Sequence, residues 1–317
     1  MGTMQDTKWD KMESKKEKAP ILVLGGTGHY GQHIVGSLLE KGQAVRVLSR
    51  NAANARRILG DEAEIVEGDI TWRKSVVEAL EGVKAVVISV SAFTPRLIRK
   101  LILIERDSVL TVLEEAQNVG ISRIVYLSGY ELDPGIIEEL DLEFGRIKLE
   151  IETTLAKSGF NWTVLGEAPS MEVFFAMIRG EKMIVPGGGP AALPTVSPVD
   201  TGEIAAQTVL RKDLGGRRIR VTGPEAISFS EAARRISAVT GKRLEFQKIP
   251  LFPLHVVSLV TRPFNPYLVH LVGSARLMNR FPQDLAAQVP QDHRWLVDTF
   301  AYSPTTLEME ARRRFAI

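Results

Sequence analysis

Six strand-like stretches punctuate the first half of the chain: Ile21–Leu24, Ala44–Leu48, Glu64–Glu67, Ala85–Val90, Ile124–Leu127 and Trp162–Leu165. Between them the apolar residues fall three and four positions apart. Tyr30, Ile34, Leu38 and Leu39 share one helical face in this way. Trp72–Gly82, Arg106–Gly120 and Asp141–Ser158 carry further helices. Apolar strands alternating with helices predict one right-handed parallel sheet covered on both faces. Glu131–Leu140 reads as a loop, with Asp133-Pro134-Gly135 as its turn signal.

Beyond Gly166 the texture changes. Lys182–Pro198 is rich in Gly and Pro, with Gly187-Gly188-Gly189-Pro190 as the clearest loop. Asp200 with Glu203 forms a capping-box pattern opening a helix to Leu210, and Ser228 with Glu231 caps a second helix reaching Thr240. Arg218–Val221 and Leu244–Ile249 read as short strands. Leu251–Leu277 is apolar and broken by Pro253, Pro263 and Pro266. Its polar residues do not line one face, so core and lid packing is expected rather than a membrane-surface segment. Residues 166–317 are therefore expected to form a smaller α+β, substrate-binding lobe, partly interleaved with the main sheet. Met1–Ala19 is a polar, Lys-rich tail, expected to be disordered, without the apolar core of a signal peptide. No apolar run approaches the length of a membrane span, and a cytoplasmic location is expected.

Composition narrows the chemistry. With 44% hydrophobic and 25% charged residues over 317 positions, the chain is an ordinary globular sequence large enough for two domains or one enlarged one. A formal net charge of +2 is too small to argue for direct nucleic-acid contact. The absence of cysteine removes disulfides, thiolate nucleophiles and cysteine metal sites. His29 and His33 are spaced one helical turn apart, but no carboxylate accompanies them and no metal site is expected.

The candidate chemistry begins at ILVLGGTGHYGQHIVGSLLEKG, residues 21–42, a strand, a glycine turn and a helix in immediate succession. Gly25 suits the tight turn, Gly28 a close approach to a pyrophosphate, and Gly31 the packing of helix on strand. Thr27, His29 and Tyr30 lie in the same turn and are counted with it as cofactor-binding. Phosphates would rest on unpaired N–H groups at the positive end of the helix. The spacing is G-x-x-G-x-x-G, not the commoner G-x-G-x-x-G. The expected architecture is thus an α/β, doubly wound parallel sheet of the Rossmann kind over residues 20–165. The second strand ends at Ser49-Arg50 with no carboxylate among its close sequence neighbours. Arg there accommodates the 2′-phosphate of NADP(H), making NAD(H) the less expected cofactor. Asp69, with Ile70 beside it, can accept from adenine or cap the next helix. Ser89 leaves the fourth strand at the end where such sheets bind ligands.

The strand–GGTGHYG–helix unit, Arg50, Gly68-Asp69 and the helix carrying Lys148 together resemble the atypical short-chain dehydrogenase/reductase superfamily, and within it the NmrA-like NAD(P)-binding branch. The resemblance runs from Pro20 to Leu165 and thins to general texture afterwards. It implies a Ser that orients a carbonyl, here Ser128, and a Lys that holds the nicotinamide ribose, here Lys148. The catalytic Tyr of that pattern is replaced by Phe144, which has no ionisable proton. Three readings stay open. Lys148 works alone as acid or base if burial lowers its pKa towards neutrality; or the acceptor is quinone-like and needs no strong acid; or the protein binds NADP(H) without turnover. The leading expectation is an NAD(P)H-dependent oxidoreductase acting on a quinone-like or small carbonyl substrate. The alternative is a redox sensor, regulator or assembly subunit with a protein partner. Tyr130 and Glu167 are secondary candidates, the first as a replacement phenol and the second as a residue facing substrate or solvent.

Overall fold

The computed structural model describes residues 19–316; all but Ala19 of the expected tail lies outside the described residues. Among the described residues, the main sheet has strands β1 (Ile21–Leu24), β2 (Val45–Ser49), β3 (Glu64–Glu67), β4 (Ala85–Ile88), β5 (Arg123–Gly129), β6 (Asn161–Glu167) and β7 (Arg217–Val221). Their order is β7-β6-β5-β4-β1-β2-β3, and all neighbours are parallel. The order reverses between β1 and β4, opening a crevice at the carboxyl ends of those two strands.

Six helices cover this sheet: α1 (Gly31–Glu40), α2 (Ala52–Leu59), α3 (Arg73–Leu80), α4 (Ser108–Asn118), α5 (Glu143–Lys157) and α6 (Pro198–Leu210). The uniformly apolar β1 is explained by its position. Ile21 and Val23 pack with Ile34 and Leu38 of α1 and Ile204 of α6, while Leu22 and Leu24 pack with Leu80, Val112 and Ile151 on the opposite face. All four strand residues are buried, each contributing about 1.5–3 kcal/mol.

Several local readings need correction. Pro134–Glu139 is a helix, not loop: Asp133 Oδ1 accepts from Ile136 N at 2.9 Å, and Pro134 occupies the first turn. Helix α6 starts at Pro198, capped by Ser197. Asp200 instead accepts from Thr305 N (2.8 Å) and Oγ1 (2.6 Å), and Glu203 takes Lys41 Nζ at 2.7 Å. Ser228 does cap Phe229–Thr240, accepting from Glu231 N at 3.1 Å. Ahead of α4, a π-turn at Ile102–Asp107 buries Glu105, whose Oε1 accepts from Ala92 N at 2.6 Å and ties down the segment after β4.

The second half supplies β7 and α6 to the main body and a separate three-stranded sheet. There Lys182–Pro186 pairs in parallel with Glu245–Ile249 and antiparallel with Ile178–Arg179. Phe174, Phe229, Ile236 and Leu307 fill its core. The apolar stretch departs from the expected packing: helix Leu251–Thr261 buries Ser258 but leaves Phe252, Val256, Val257, Leu259 and Val260 exposed. The prolines fold it back on helix Pro266–Asn279 and away from the main cores.

Arg123 locks the sheet to α6. Its buried guanidinium donates to Asn161 O (2.9 Å) and Oδ1 (3.0 Å), Thr163 Oγ1 (2.9 Å), Val209 O (3.4 Å) and Thr208 O. Burial lowers its pKa to about 10, which leaves it charged at neutral pH. Arg123→Met strips several buried acceptors of their donor. Unfolding stability is expected to fall by about 3 kcal/mol, read as a lower urea midpoint at unchanged m.

Candidate functional site

The glycine turn is held by its own backbone. Gly25 has φ +80°, and a Cβ there would lie 2.8 Å from the Ser89 carbonyl carbon and nearer still to its oxygen. Gly28 N donates to Gly25 O at 2.8 Å. A Cβ on Gly31 would meet the Gly25 carbonyl carbon at 2.7 Å and Gly26 Cα at 2.8 Å. Gly31 thus serves the fold of the loop itself, not only helix–strand packing. Gly28 differs, since Gly25 O at 3.0 Å is the one atom near its Cβ position. No side chain caps α1; within its first turn Gln32 N donates to Gly28 O at 3.2 Å and His33 and Ile34 N to Tyr30 O at 3.0 and 3.1 Å. An uncapped helix start behind a bare glycine backbone fits a pyrophosphate.

Thr27, partly buried, continues the turn. His29 and Tyr30 reach across to the second half. His29 Nε2 lies 3.0 Å from Ser170 Oγ and Nδ1 3.6 Å from Glu172 Oε2. The Tyr30 phenol is raised well above its ordinary pKa by burial and by the Glu167 carboxyl, against a hydrogen bond with Ser170.

At the carboxyl end of the second strand, Arg50 is exposed directly after β2. The expected absence of a nearby carboxylate needs correction: pairing of Ser49 with Glu67 brings Glu67 Oε2 to 3.2 Å from Ala52 N. A strand neighbour is invisible to a search along the sequence. Asp69 Oδ1 accepts from Thr71 N and Oγ1, both at 2.9 Å, and Ile70 packs against the sheet core. Ser89 continues the β1–β4 pairing, donating N–H to Leu24 O at 2.9 Å.

At the other end of the crevice, Lys148 Nζ sits 5.5 Å from the Tyr126 ring centroid and donates to Leu127 O at 3.4 Å. Desolvation pulls its pKa down, but Tyr126, Glu105, Glu167 and Glu152 together outweigh it and the pKa is raised. Lys148 is a fixed cation, so a lone-lysine acid with a lowered pKa is not what the fold builds. Ser128 Oγ donates to Glu152 Oε1 at 2.5 Å, and Glu152 pairs with Arg218 at 2.9 Å. That hydroxyl is committed to α5. Phe144, one turn before Lys148, meets Phe93 edge-on at 6.3 Å, and Phe93 meets Tyr267 at 5.7 Å and His270 at 6.3 Å. Tyr130 is turned away as well, its hydroxyl donating to Asp292 Oδ2 at 3.1 Å.

Glu167 emerges as the titratable group of this end. It closes β6 in register with Gly129, and its Oε1 is sealed from solvent with no hydrogen-bond partner. Burial pushes its pKa up to about 8, against the pull of the Lys148 cation. It therefore carries its proton at neutral pH beside Tyr30 and Lys148. Strand alternation does not single it out, because Thr163, Val164, Leu165 and Gly166 are all buried, on both faces of β6. A wide groove along β7, lined by Glu131, Arg217, Arg218, Arg220, Asp292 and Trp295, contains none of these groups.

The uncharacterized oxidoreductase YesF of Bacillus subtilis is 30% identical over 237 residues, covering 73% of this chain and 74% of that protein. The Photosystem II assembly factor Ycf39 of Trieres chinensis is 27% identical over 255 residues, 76% and 75% of the two chains. An NADPH-dependent quinone oxidoreductase from Escherichia coli, solved with NADPH, shares the fold with a TM-score of 0.71 at 19% identity, over 93% of this chain and 99% of that one. No described helix is long and apolar enough to cross a membrane. Residues 17–308 match the model of the NmrA-like family, and with its seven-stranded Rossmann sheet and glycine turn the chain belongs to that family.

Proposed function

We propose that the chain binds NADP(H) across the crevice and is an oxidoreductase for a quinone-like or small carbonyl acceptor. The observation that carries this is Glu167 at the end of β6, whose Oε1 is sealed from solvent and whose field reaches both Tyr30 of the glycine turn and Lys148. Gly25, Gly28 and the start of α1 hold the pyrophosphate, Arg50 the 2′-phosphate, Asp69 and Ile70 the adenine, and Lys148 the nicotinamide ribose. The bound cofactor supplies hydride. Glu167 donates its O–H proton to the acceptor oxygen as that oxygen gains charge, and the Lys148 cation stabilises the carboxylate left behind. Phe93, Phe144 and Tyr267 wall the acceptor side with apolar surface. The test is NADPH consumption by the purified protein across quinones, dyes and small carbonyls. Turnover with at least one is expected; none, with NADPH bound, overturns the reading.

Cofactor choice is a separate prediction. NADPH should bind at least tenfold more tightly than NADH, since a phosphate–guanidinium contact contributes about 1.5–3 kcal/mol. Arg50→Ala should erase most of that preference, and Glu67→Gln should widen it by removing a carboxylate beside the phosphate. Titration of both cofactors by fluorescence checks this; equal wild-type affinities would refute it.

The second reading, an NADP(H)-binding assembly or sensor subunit, draws on the likeness to Ycf39. It expects tight NADPH binding, no turnover, and a protein partner whose affinity differs between NADPH and NADP+.

A further inference from the structure

Helix Leu251–Thr261 and the turn after it leave an apolar stripe uncovered. Phe252, Val256, Leu259 and Val260 recur at three and four positions and share one face. Phe252 is 75%, Val260 73% and Phe264 85% exposed. The Arg99 guanidinium donates to Pro263 O at 3.0 Å and Phe264 O at 3.1 Å, placing the segment around it beside the turn. That segment also exposes Ile102 and Leu103. An apolar surface this continuous marks an interaction site.

Charge identifies the occupant. From Phe246 to Gln283 the chain carries Lys248, Arg262, Arg276 and Arg280 and no carboxylate; from Ser89 to Ile104 it carries Arg96, Arg99 and Lys100 and again none. The carboxylates whose fields reach His270 are Glu143, Glu105 and Asp141. Glu105 is buried, and the other two are held by Arg146 at 3.3 and 2.9 Å. Arg280 is paired with Glu139 at 2.5 Å and Arg276 is half-buried, which leaves Lys248, Arg262, Arg96, Arg99 and Lys100 as the exposed cations of these two segments, in a protein whose net charge is only +2. A second copy of this chain docked symmetrically through this face would set the cations of Arg96, Arg99, Lys100 and Arg262 against the same cationic set, a like-charge arrangement that disfavours pairing. At 11 residues the helix is too short to cross a bilayer. Lying flat, its Phe and Val side chains would enter the acyl boundary while Lys and Arg stems follow and leave their heads among phosphates.

We propose that this face is an interfacial membrane-binding surface, seating helix Leu251–Thr261 and Phe264 in a bilayer that carries anionic headgroups. The proposal does not depend on the oxidoreductase reading.

The test is flotation of the full chain with phosphatidylcholine–phosphatidylglycerol vesicles and with phosphatidylcholine alone, at low and high salt. Binding to the anionic vesicles, weakened by salt, is expected. Val260→Asp with Phe264→Asp should lower partitioning by about tenfold or more for each side chain removed from the acyl boundary. Lys100→Glu with Arg262→Glu should lower it by about fivefold each. These side chains are exposed, and an unchanged melting temperature certifies each variant as folded. The proposal fails if the wild type does not float, if it floats equally with uncharged vesicles, or if the variants bind like the wild type. It also fails if light scattering shows a dimer that Val260→Asp with Phe264→Asp dissociates, because the face is then a protein interface.

Discussion

Gly31→Ala is expected to weaken NADPH binding by at least about a hundredfold, the equivalent of roughly 2.7 kcal/mol. The new methyl would lie 2.7 Å from the Gly25 carbonyl carbon and 2.8 Å from Gly26 Cα, well inside van der Waals contact. The loop has nowhere to retreat. Gly25 is pressed on the Ser89 carbonyl, Gly25 O is bonded to Gly28 N, and Ser89 N is bonded to Leu24 O. Relief requires the turn to lift off β4, which moves Gly28 and the start of α1 out of the place where phosphates would rest. Stability should fall as well, by about 1–3 kcal/mol for an overpacked site. Gly36→Ala is the control within the same helix, because nothing lies within 4 Å of its Cβ position. There the change should be neutral or stabilise by up to about 1 kcal/mol. NADPH titration and thermal melting of the two variants decide the matter. A Gly31→Ala protein that binds like the wild type would mean the cofactor lies elsewhere.

What could be read from the sequence follows from which forces are local. Ile21–Leu24 is apolar at every position because both faces of β1 are buried, and its bounds are those of the structure. Asp133-Pro134-Gly135 was ambiguous in principle, since a turn and a capped helix start use the same residues, and only the following Ile137 and Leu140 in the core decide for helix. Asp200 looked like a cap but bonds Thr305, a partner far along the chain. The exposed helix at Leu251–Thr261 shows the same limit, because composition does not distinguish a buried apolar face from an open one. At the site, the glycine turn and the position of Lys148 were legible as motifs. The charge of Lys148 was not, because Tyr126, Glu105, Glu152 and Glu167 come from four separate elements. Glu167 needed the three-dimensional burial of its own strand end to stand out from an ordinary surface carboxylate.

Glu167→Gln is expected to separate activity from stability in opposite directions. The carboxyl titrates near 4.5 when free and at about 8 in the fold, chiefly because burial disfavours its charged form. Its folded pKa is raised, so its favourable contribution is complete below about pH 4.5, where both states hold the proton. As pH rises from there towards 8 the unfolded chain ionises first, and stability drains away until the folded group ionises too. Glutamine keeps the shape and has no such dependence. The variant should therefore be more stable than the wild type at pH 8, by roughly 2 kcal/mol, with the gap closing towards pH 4.5. Its amide cannot give up a proton, so reduction of a small carbonyl acceptor should fall by about 10²–10⁴-fold while NADPH binding stays near the wild-type value. Wild-type turnover should likewise decline above about pH 8, as Glu167 loses its proton. Melting curves across pH and steady-state rates on one preparation supply both readouts. Full activity in a stabilised variant would show that another group delivers the proton, and loss of stability together with activity would make Glu167 a structural residue of the β6 end.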